Sequence, residues 1–387
     1  MNTHRERNPR PSRAGLASEI KIGSSPHGSK NPRPSGAGFF NDQWAVLEEI
    51  LKKVSRSFYL SLAVLPSGTR QQVSLAYLFC RAADTIADTD LLPASSRLTY
   101  LADLQDQFRT APSFPTIQKI KQGLVSLQTH AAERALLERL EDCFRVYLKF
   151  SRQDQELIRW LVLTLTHSME MDLSSFPMEG SSPRAFATSS ELDLYCYHVA
   201  GCVGEFWTKI HRRHLAALTN WDEKSMCEKG VRFGKGLQMT NILRDLPRDL
   251  RRGRCYIPET MLKEEGLSAP DLLSPQTLPR LRPLLFSLIH QTLGYLDSAW
   301  EYTMAIPRQE MRLRLSCLLP VLFALKTLRL VSSSDRFLEP SVSLKISRWE
   351  VYWTIGLALC LSWSDALLTR LFRRRRGSVA IGLPSGR

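Results

Sequence analysis

The chain has 387 residues, 43% hydrophobic and 23% charged, enough apolar material for one large or two medium cores, which excludes a mostly disordered chain. Its eight cysteines are scattered without a C-x-x-C pair, which argues against a secreted disulfide framework or a structural zinc site and for a reducing, cytoplasmic setting. The net charge of +14 invites a nucleic-acid reading, yet residues 1–36 hold seven Lys/Arg against two Glu and residues 370–387 hold six Arg and no acid, leaving +3 for everything between. Basic ends of this kind are expected to be solvated, with no nucleic-acid partner and at most an attraction of Arg373 to Arg376 for anionic lipid.

From the N-terminus, residues 1–38 contain a near-repeat, Asn8 to Gly15 and Asn31 to Gly38, built from residues that resist helix and sheet; a disordered basic tail is expected. From Phe39 to Phe372 apolar residues recur every three or four positions, predicting a single all-α domain of eight to twelve helices. The predicted helices cover 44–57, 71–88, 131–149, 155–173, 191–210, 224–250, 281–304 and 311–330, separated by Pro/Gly/Ser clusters at 111–115, 174–183, 252–258 and 332–341. The most apolar run, Val351 to Trp363, is thirteen residues long with Asp365 just beyond it. A membrane span needs about twenty, so a buried core helix is expected instead. Residues 373–387 are expected to form a basic C-terminal tail, and no secretory signal is visible.

Two helical stretches carry polar stripes through apolar sequence. Tyr77, Arg81, Asp84 and Asp88 are spaced four, three and four apart, and Gln238, Asn241, Asp245 and Asp249 three, four and four, so each set shares one helical face. An i, i+4 Asp pair is commonly just a solvated face. Two such pairs inside apolar helices are harder to dismiss, because buried carboxylates must protonate, meet arginines or bind cations. Asp supplies the hard oxygen that Mg²⁺ prefers, and Mg²⁺ bridges to phosphate oxygens. Arg81, Arg244, Arg248, Arg251, Arg252 and Arg254 lie in or beside these stripes, suited to bidentate phosphate binding or to neutralising the aspartates internally. His211 and His214, separated by two arginines, have metal-like spacing but no third ligand, and are expected on an exposed face.

With these residues in view, the chain resembles the squalene/phytoene synthase family of head-to-head prenyl transferases, most nearly its bacterial squalene synthases. The resemblance rests on Ser55 to Tyr59 (SRSFY), Tyr77 to Asp88 (YLFCRAADTIAD), Tyr195 to Gly204 (YCYHVAGCVG), and Gln238 to Asp249 (QMTNILRDLPRD) followed by Arg252 to Pro258 (RGRCYIP), and it continues to Lys345 to Tyr352. It implies an all-α, isoprenoid-synthase-type helical bundle with a central cavity, in which Asp84, Asp88, Asp245 and Asp249 hold Mg²⁺. It further implies that Ser55, Ser57, Tyr77, Arg81, Gln238, Asn241 and Arg244 bind substrate diphosphate. Tyr195 would be catalytic with Asp84 and Asp245, standing beside the reacting carbons, although a core tyrosine with a satisfied hydroxyl fits the same position. Ala200, Gly201 and Gly204 either leave room for a prenyl tail or allow close helix packing.

The implied reaction joins two farnesyl diphosphates through presqualene diphosphate to squalene, with NADPH as reductant on the resemblance alone. The alternatives are phytoene synthesis from geranylgeranyl diphosphate, arrest at presqualene diphosphate, or a non-catalytic relative acting in assembly. A helical adaptor holding anionic membrane through its basic tails would need no Mg²⁺. Departures from the family pattern are Ala87 inside the first motif, Pro247 inside the second, and Ser168-Met169 where Gly-Met is frequent. A monomer in the cytoplasm, in peripheral contact with the membrane because substrate and product are lipids, is the accompanying expectation.

Overall fold

The computed structural model describes residues 36–55, 58–176 and 182–380; Ser57, most of the expected N-terminal tail and residues 381–387 lie outside them. The first half is built from α1 (Gly36–Ser55), α2 (Phe58–Ala63), α3 (Ser67–Ala87), α4 (Ala94–Arg109), α5 (Phe114–Leu124), α6 (Ala131–Glu138), α7 (Leu140–Tyr147) and α8 (Arg152–Ser175). The second comprises α9 (Ser189–Cys196), α10 (Cys202–His214), α11 (Glu223–Arg251), α12 (Glu259–Glu264), α13 (Leu278–Ala305), α14 (Met311–Ser333), α15 (Arg348–Leu361) and α16 (Asp365–Ala380). Sixteen helices among the described residues exceed the eight to twelve expected. Short helices such as α2 and α12, six residues each, carry too few turns for a clear apolar period, and the stretch over 131–149 breaks at Arg139 into two.

Side-chain caps set several helix starts. Ser151 accepts from the Asp154 amide at 3.2 Å before α8, Thr188 from Glu191 before α9, and Asp222 from Lys224 before α11. Each satisfies a backbone donor that the first turn leaves unpaired. The central element is α11, which packs against α10, α13 and α14. Its approach to the preceding segment depends on missing side chains: a Cβ on Gly204 would lie 1.9 Å from the Gly230 carbonyl oxygen, and one on Gly234 2.0 Å from that of Ala200. Close helix packing is therefore one role of the small residues on the Tyr195 segment. At the other end of the bundle Phe79, Phe108, Phe144 and Tyr147 interlock with ring centroids 4.8 to 6.3 Å apart, joining α3, α4 and α7.

Three expectations are corrected. His211 is fully buried, its Nδ1 2.8 Å from the Trp207 carbonyl, and burial lowers its pKa to about 4; His214 faces Asp154 at 2.9 Å. The basic run is not a free tail from residue 373, because α16 continues to Ala380 and Arg376 pairs with Asp297 at 2.6 Å. The stacked rings of Trp300 and Phe372, 4.4 Å apart, tie the same helix to α13. Finally, Val351 to Trp363 is no core helix: only Thr354 and Ala358 of α15 are buried. Among the described residues the stretch long and apolar enough to cross a membrane is instead Arg308–Ser333, of which 61% is buried inside the molecule.

Candidate active site

Between α3, α8, the Tyr195 segment and α11 lies a cavity of about 540 Å³. Asp84 and Asp88 enter it from α3, and Asp172, with Ser168 and Met169, from α8. Gln238, Asn241, Arg244, Asp245, Arg248 and Asp249 line it from α11. The α11 helix runs unbroken through Pro247 to Arg251, so Asp245 and Asp249 keep the common face read from their spacing. Gly253 then adopts φ +80°, a left-handed turn that favours glycine just past a helix end. The chain there doubles back into the two-residue strand Arg254–Cys255, which pairs in parallel with Arg184–Ala185. That clip returns Arg254 and Tyr256 to the cavity wall.

Alongside α3 the nearest basic group to Asp84 among the described residues is a shared one. Arg81 approaches Asp84 only to 3.8 Å, while its other amine donates to Glu133 on α6. Burial, then the neighbouring Asp88, raise Asp84 to about 7 despite Arg81. Burial also raises Asp88, against the pull of Arg254 and Arg81. On α11, by contrast, Arg244 grips Asp245 through Nε at 3.0 Å and Nη2 at 2.6 Å, and Arg248 adds a contact at 3.2 Å. Asp249 is raised by burial, opposed by Arg248.

A third acidic position escaped the sequence reading. Asp172 accepts from the hydroxyls of Tyr195 at 3.2 Å and Tyr256 at 3.3 Å, with Arg254 at 3.6 Å. Burial raises its carboxyl to about 7, and its Oδ1 is buried without a hydrogen-bond partner. Tyr195 and Tyr256 stack at 4.9 Å, so the buried Tyr195 is held from two sides. The available signal was the four-residue step from Ser168 to Asp172 on one face of α8.

Of the expected diphosphate contacts, Arg81, Gln238, Asn241 and Arg244 line the cavity. Ser55 does not: its buried hydroxyl donates back to the Leu51 carbonyl at 2.5 Å, as a serine in the last turn of a helix readily does. Tyr77 turns away as well, its hydroxyl 3.4 Å from the Val54 carbonyl. Ser57 lies outside the described residues.

No three carboxylates among the described residues are gathered tightly enough to enclose a cation by themselves. Mg²⁺ asks for less, since it binds through one or two carboxylates, waters and phosphate oxygens. An all-oxygen donor set in which Asp84 is held near neutrality and Asp172 carries an orphaned acceptor fits such an ion brought in with a diphosphate. Beside this polar chamber α11 borders a second, apolar one of about 160 Å³. It is lined from α11 by Gly230, Phe233, Gly234 and Leu237 and from facing helices by Ala200, Gly204, Trp207 and Tyr302. The lining of α11 thus passes from apolar to polar between Leu237 and Gln238, with its first acid, Asp245, two turns further on.

Comparison with known proteins places this arrangement among relatives. The family model described as squalene/phytoene synthase matches residues 51–350. A bifunctional lycopene cyclase/phytoene synthase of Phaeosphaeria nodorum is 29% identical over 64% of this chain, which spans 40% of that protein's length. The 15-cis-phytoene synthase of Enterobacter agglomerans is 27% identical over 63% of this chain and 72% of its own. The squalene synthase of Eremothecium gossypii is 24% identical over 77% of this chain and 64% of its own. Among solved structures, TcSQS in complex with a ligand aligns with TM-score 0.70 at 20% identity, covering 89% of this chain and 93% of the other. A dehydrosqualene synthase complex aligns at 0.56 and 23% identity, covering 84% and 97%.

Proposed function

The chain belongs to the squalene/phytoene synthase family, and from that premise we propose that it condenses two farnesyl diphosphates head to head, through presqualene diphosphate, to squalene. The observation carrying this reading is the junction on α11, where an apolar chamber opens beside a chamber lined by acids and arginines. An amphiphile with a charged head and a hydrocarbon tail suits such a pair of spaces.

Arg81, Arg244 and Arg248 contact the diphosphate, and Gln238 and Asn241 orient it. Asp84, Asp88, Asp245 and Asp249 hold Mg²⁺, which when bound neutralises the leaving diphosphate. For Asp245 this means that Arg244 swings from carboxylate to phosphate, so the present ion pair is the resting arrangement. Cleavage of the allylic C–O bond leaves a carbocation, and the second substrate's double bond supplies the electron pair that joins the two chains. A proton must then leave a carbon as the cyclopropane closes; we assign its uptake to the Tyr195 oxygen, with the hydroxyl proton of Tyr195 passing along its hydrogen bond to the Asp172 carboxylate. Apolar walls keep water from the cation. NADPH would supply the hydride of the reductive second half. Among the described residues the strands are only two residues long, so no dinucleotide-binding strand–turn–helix unit is available to it.

Trp207, Phe233 and Tyr302 crowd the apolar chamber to about 160 Å³, which favours the shorter prenyl chain. The second reading, phytoene synthesis from geranylgeranyl diphosphate, is favoured by the 27–29% identity to phytoene synthases. Incubating the protein with either diphosphate and Mg²⁺, with and without NADPH, and weighing the extracted lipid by mass spectrometry separates them. A thirty-carbon product reduced to squalene only with NADPH is expected. A forty-carbon product transfers the proposal to the second reading, and no coupled product from either substrate overturns both.

A further inference from the structure

Of the eleven large hydrophobic residues exposed among the described ones, five lie within fifteen positions: Trp349, Tyr352, Trp353, Leu359 and Trp363. The other six are isolated, as is ordinary for a protein surface. Trp349 is 75% exposed, Trp363 69%, Tyr352 67% and Trp353 61%. At 100° per residue the four on α15, Trp349, Tyr352, Trp353 and Leu359, fall within an arc of roughly 120°, opposite the buried Thr354 and Ala358, and Trp363 follows two residues past the helix end.

The helix carrying them is firmly seated. Glu350 pairs with Lys326 of α14 at 2.9 Å, and Arg375 of α16 donates to Thr354 at 3.2 Å. Both acids of α15 and α16 are occupied, Glu350 in that pair and Asp365 with Arg308 and Arg314. Arg370, Arg373 and Arg374 are exposed on α16, and none has an acidic partner among the described residues. The surface is thus aromatic and cationic, with no free acid of its own.

We propose that α15 is an interfacial membrane-docking helix that lays its tryptophan stripe into the headgroup region of an anionic bilayer, with the α16 arginines binding the lipid phosphates. Tryptophan and tyrosine favour that depth, where an apolar ring and a polar N–H or O–H are both satisfied. Fourteen residues extend roughly 21 Å, short of the ~30 Å hydrocarbon core, so the helix lies on the membrane and does not cross it. Charge decides against the other occupants. A second copy docked face to face would set uncompensated arginines against arginines, and residues 1–36 of this chain, with a net +5, are repelled in the same way.

Cosedimentation of the full-length protein with vesicles tests this, using phosphatidylcholine alone and phosphatidylcholine with about 30% phosphatidylglycerol, without prenyl diphosphate. Binding to the anionic vesicles is expected, with tryptophan emission quenched by brominated acyl chains. Replacing Trp349, Trp353 and Trp363 together by Ser should lower the partition coefficient at least tenfold at an unchanged thermal midpoint. Arg370→Gln/Arg373→Gln/Arg374→Gln should lower it similarly at low salt and little at high salt. Unchanged partitioning of the tryptophan variant, or no binding by the wild type, overturns the proposal. So does a dimer, seen by light scattering without lipid, that the tryptophan variant dissolves. Substrate is absent throughout, so failure here leaves the condensation reading standing, and failed condensation leaves this one.

Discussion

The Asp84/Asp88 pair and the Asp245/Asp249 pair share one spacing and line one cavity, yet they meet different basic partners. On α11 the arginine next to Asp245 and another one turn on are both free to turn onto it. On α3 the equivalent cation, Arg81, is shared with Glu133 from a different helix, and burial, then the neighbouring Asp88, raise Asp84 to about 7. Spacing places carboxylates on a face; the tertiary fold decides which of them has an arginine to itself. A diphosphate with its cation must therefore displace protons on one side and arginines on the other.

The sharpest way to break this comparison is to neutralise each side in turn. Asp84→Asn and Asp245→Asn should each cut kcat/KM of condensation by about 10²–10³ with an unchanged circular-dichroism spectrum, the scale expected when one electrostatic element of a transition-state site is lost. Equal losses would mean that the resting difference disappears once substrate is bound; unaltered kinetics in both would remove the site. Tyr195→Phe should lower kcat by about 10²-fold with little change in KM, in keeping with a proton-transfer role. Asp172→Asn should lower it about as much, because an amide can accept the Tyr195 hydrogen bond but cannot take its proton.

A subtler effect concerns pH. Asp84 and Asp172 are raised from 3.8 to about 7 in the folded protein. Their contribution to stability is complete below pH 3.8 and is lost as pH rises through 7, since the unfolded chain ionises first. The thermal midpoint should fall between about pH 4 and pH 7 and level off above, with a shallower slope in Asp84→Asn. Mg²⁺ with inorganic diphosphate should raise the midpoint more at pH 8 than at pH 6, because the ion binds the ionised carboxylate. The smallest effect is expected for Arg248→Ala: Arg248 is 57% exposed and makes one of several contacts to Asp245, so a two- to fivefold rise in KM at constant kcat is anticipated.

Much of this site was legible in the sequence. The acidic stripes with Gln238 and Asn241 follow from helical spacing, Arg244 was read as flanking the second, and all line the cavity. Asp172 was not legible, because one of the four acids of α8 looks the same in sequence whether it faces solvent or two tyrosines from elsewhere in the chain. Ser55 and Tyr77 show the opposite limit: their types suit phosphate, but Ser55 bonds back to Leu51 in its own helix and the Tyr77 hydroxyl lies beside the Val54 carbonyl on another. The run from Val351 to Trp363 shows the same limit in hydrophobic form, since an apolar helix need not find a core.

What the sequence determined by itself was therefore angular: which residues share a face, where helices start and stop, and which positions are too small to fill space. Tertiary structure alone decided what each face meets. It set Arg81 against Glu133, closed Tyr195 and Tyr256 over Asp172, buried α14 and left α15 bare. Helical periodicity is fixed within a few residues of chain, whereas burial and protonation depend on partners dozens of residues away, whose arrival no local pattern encodes.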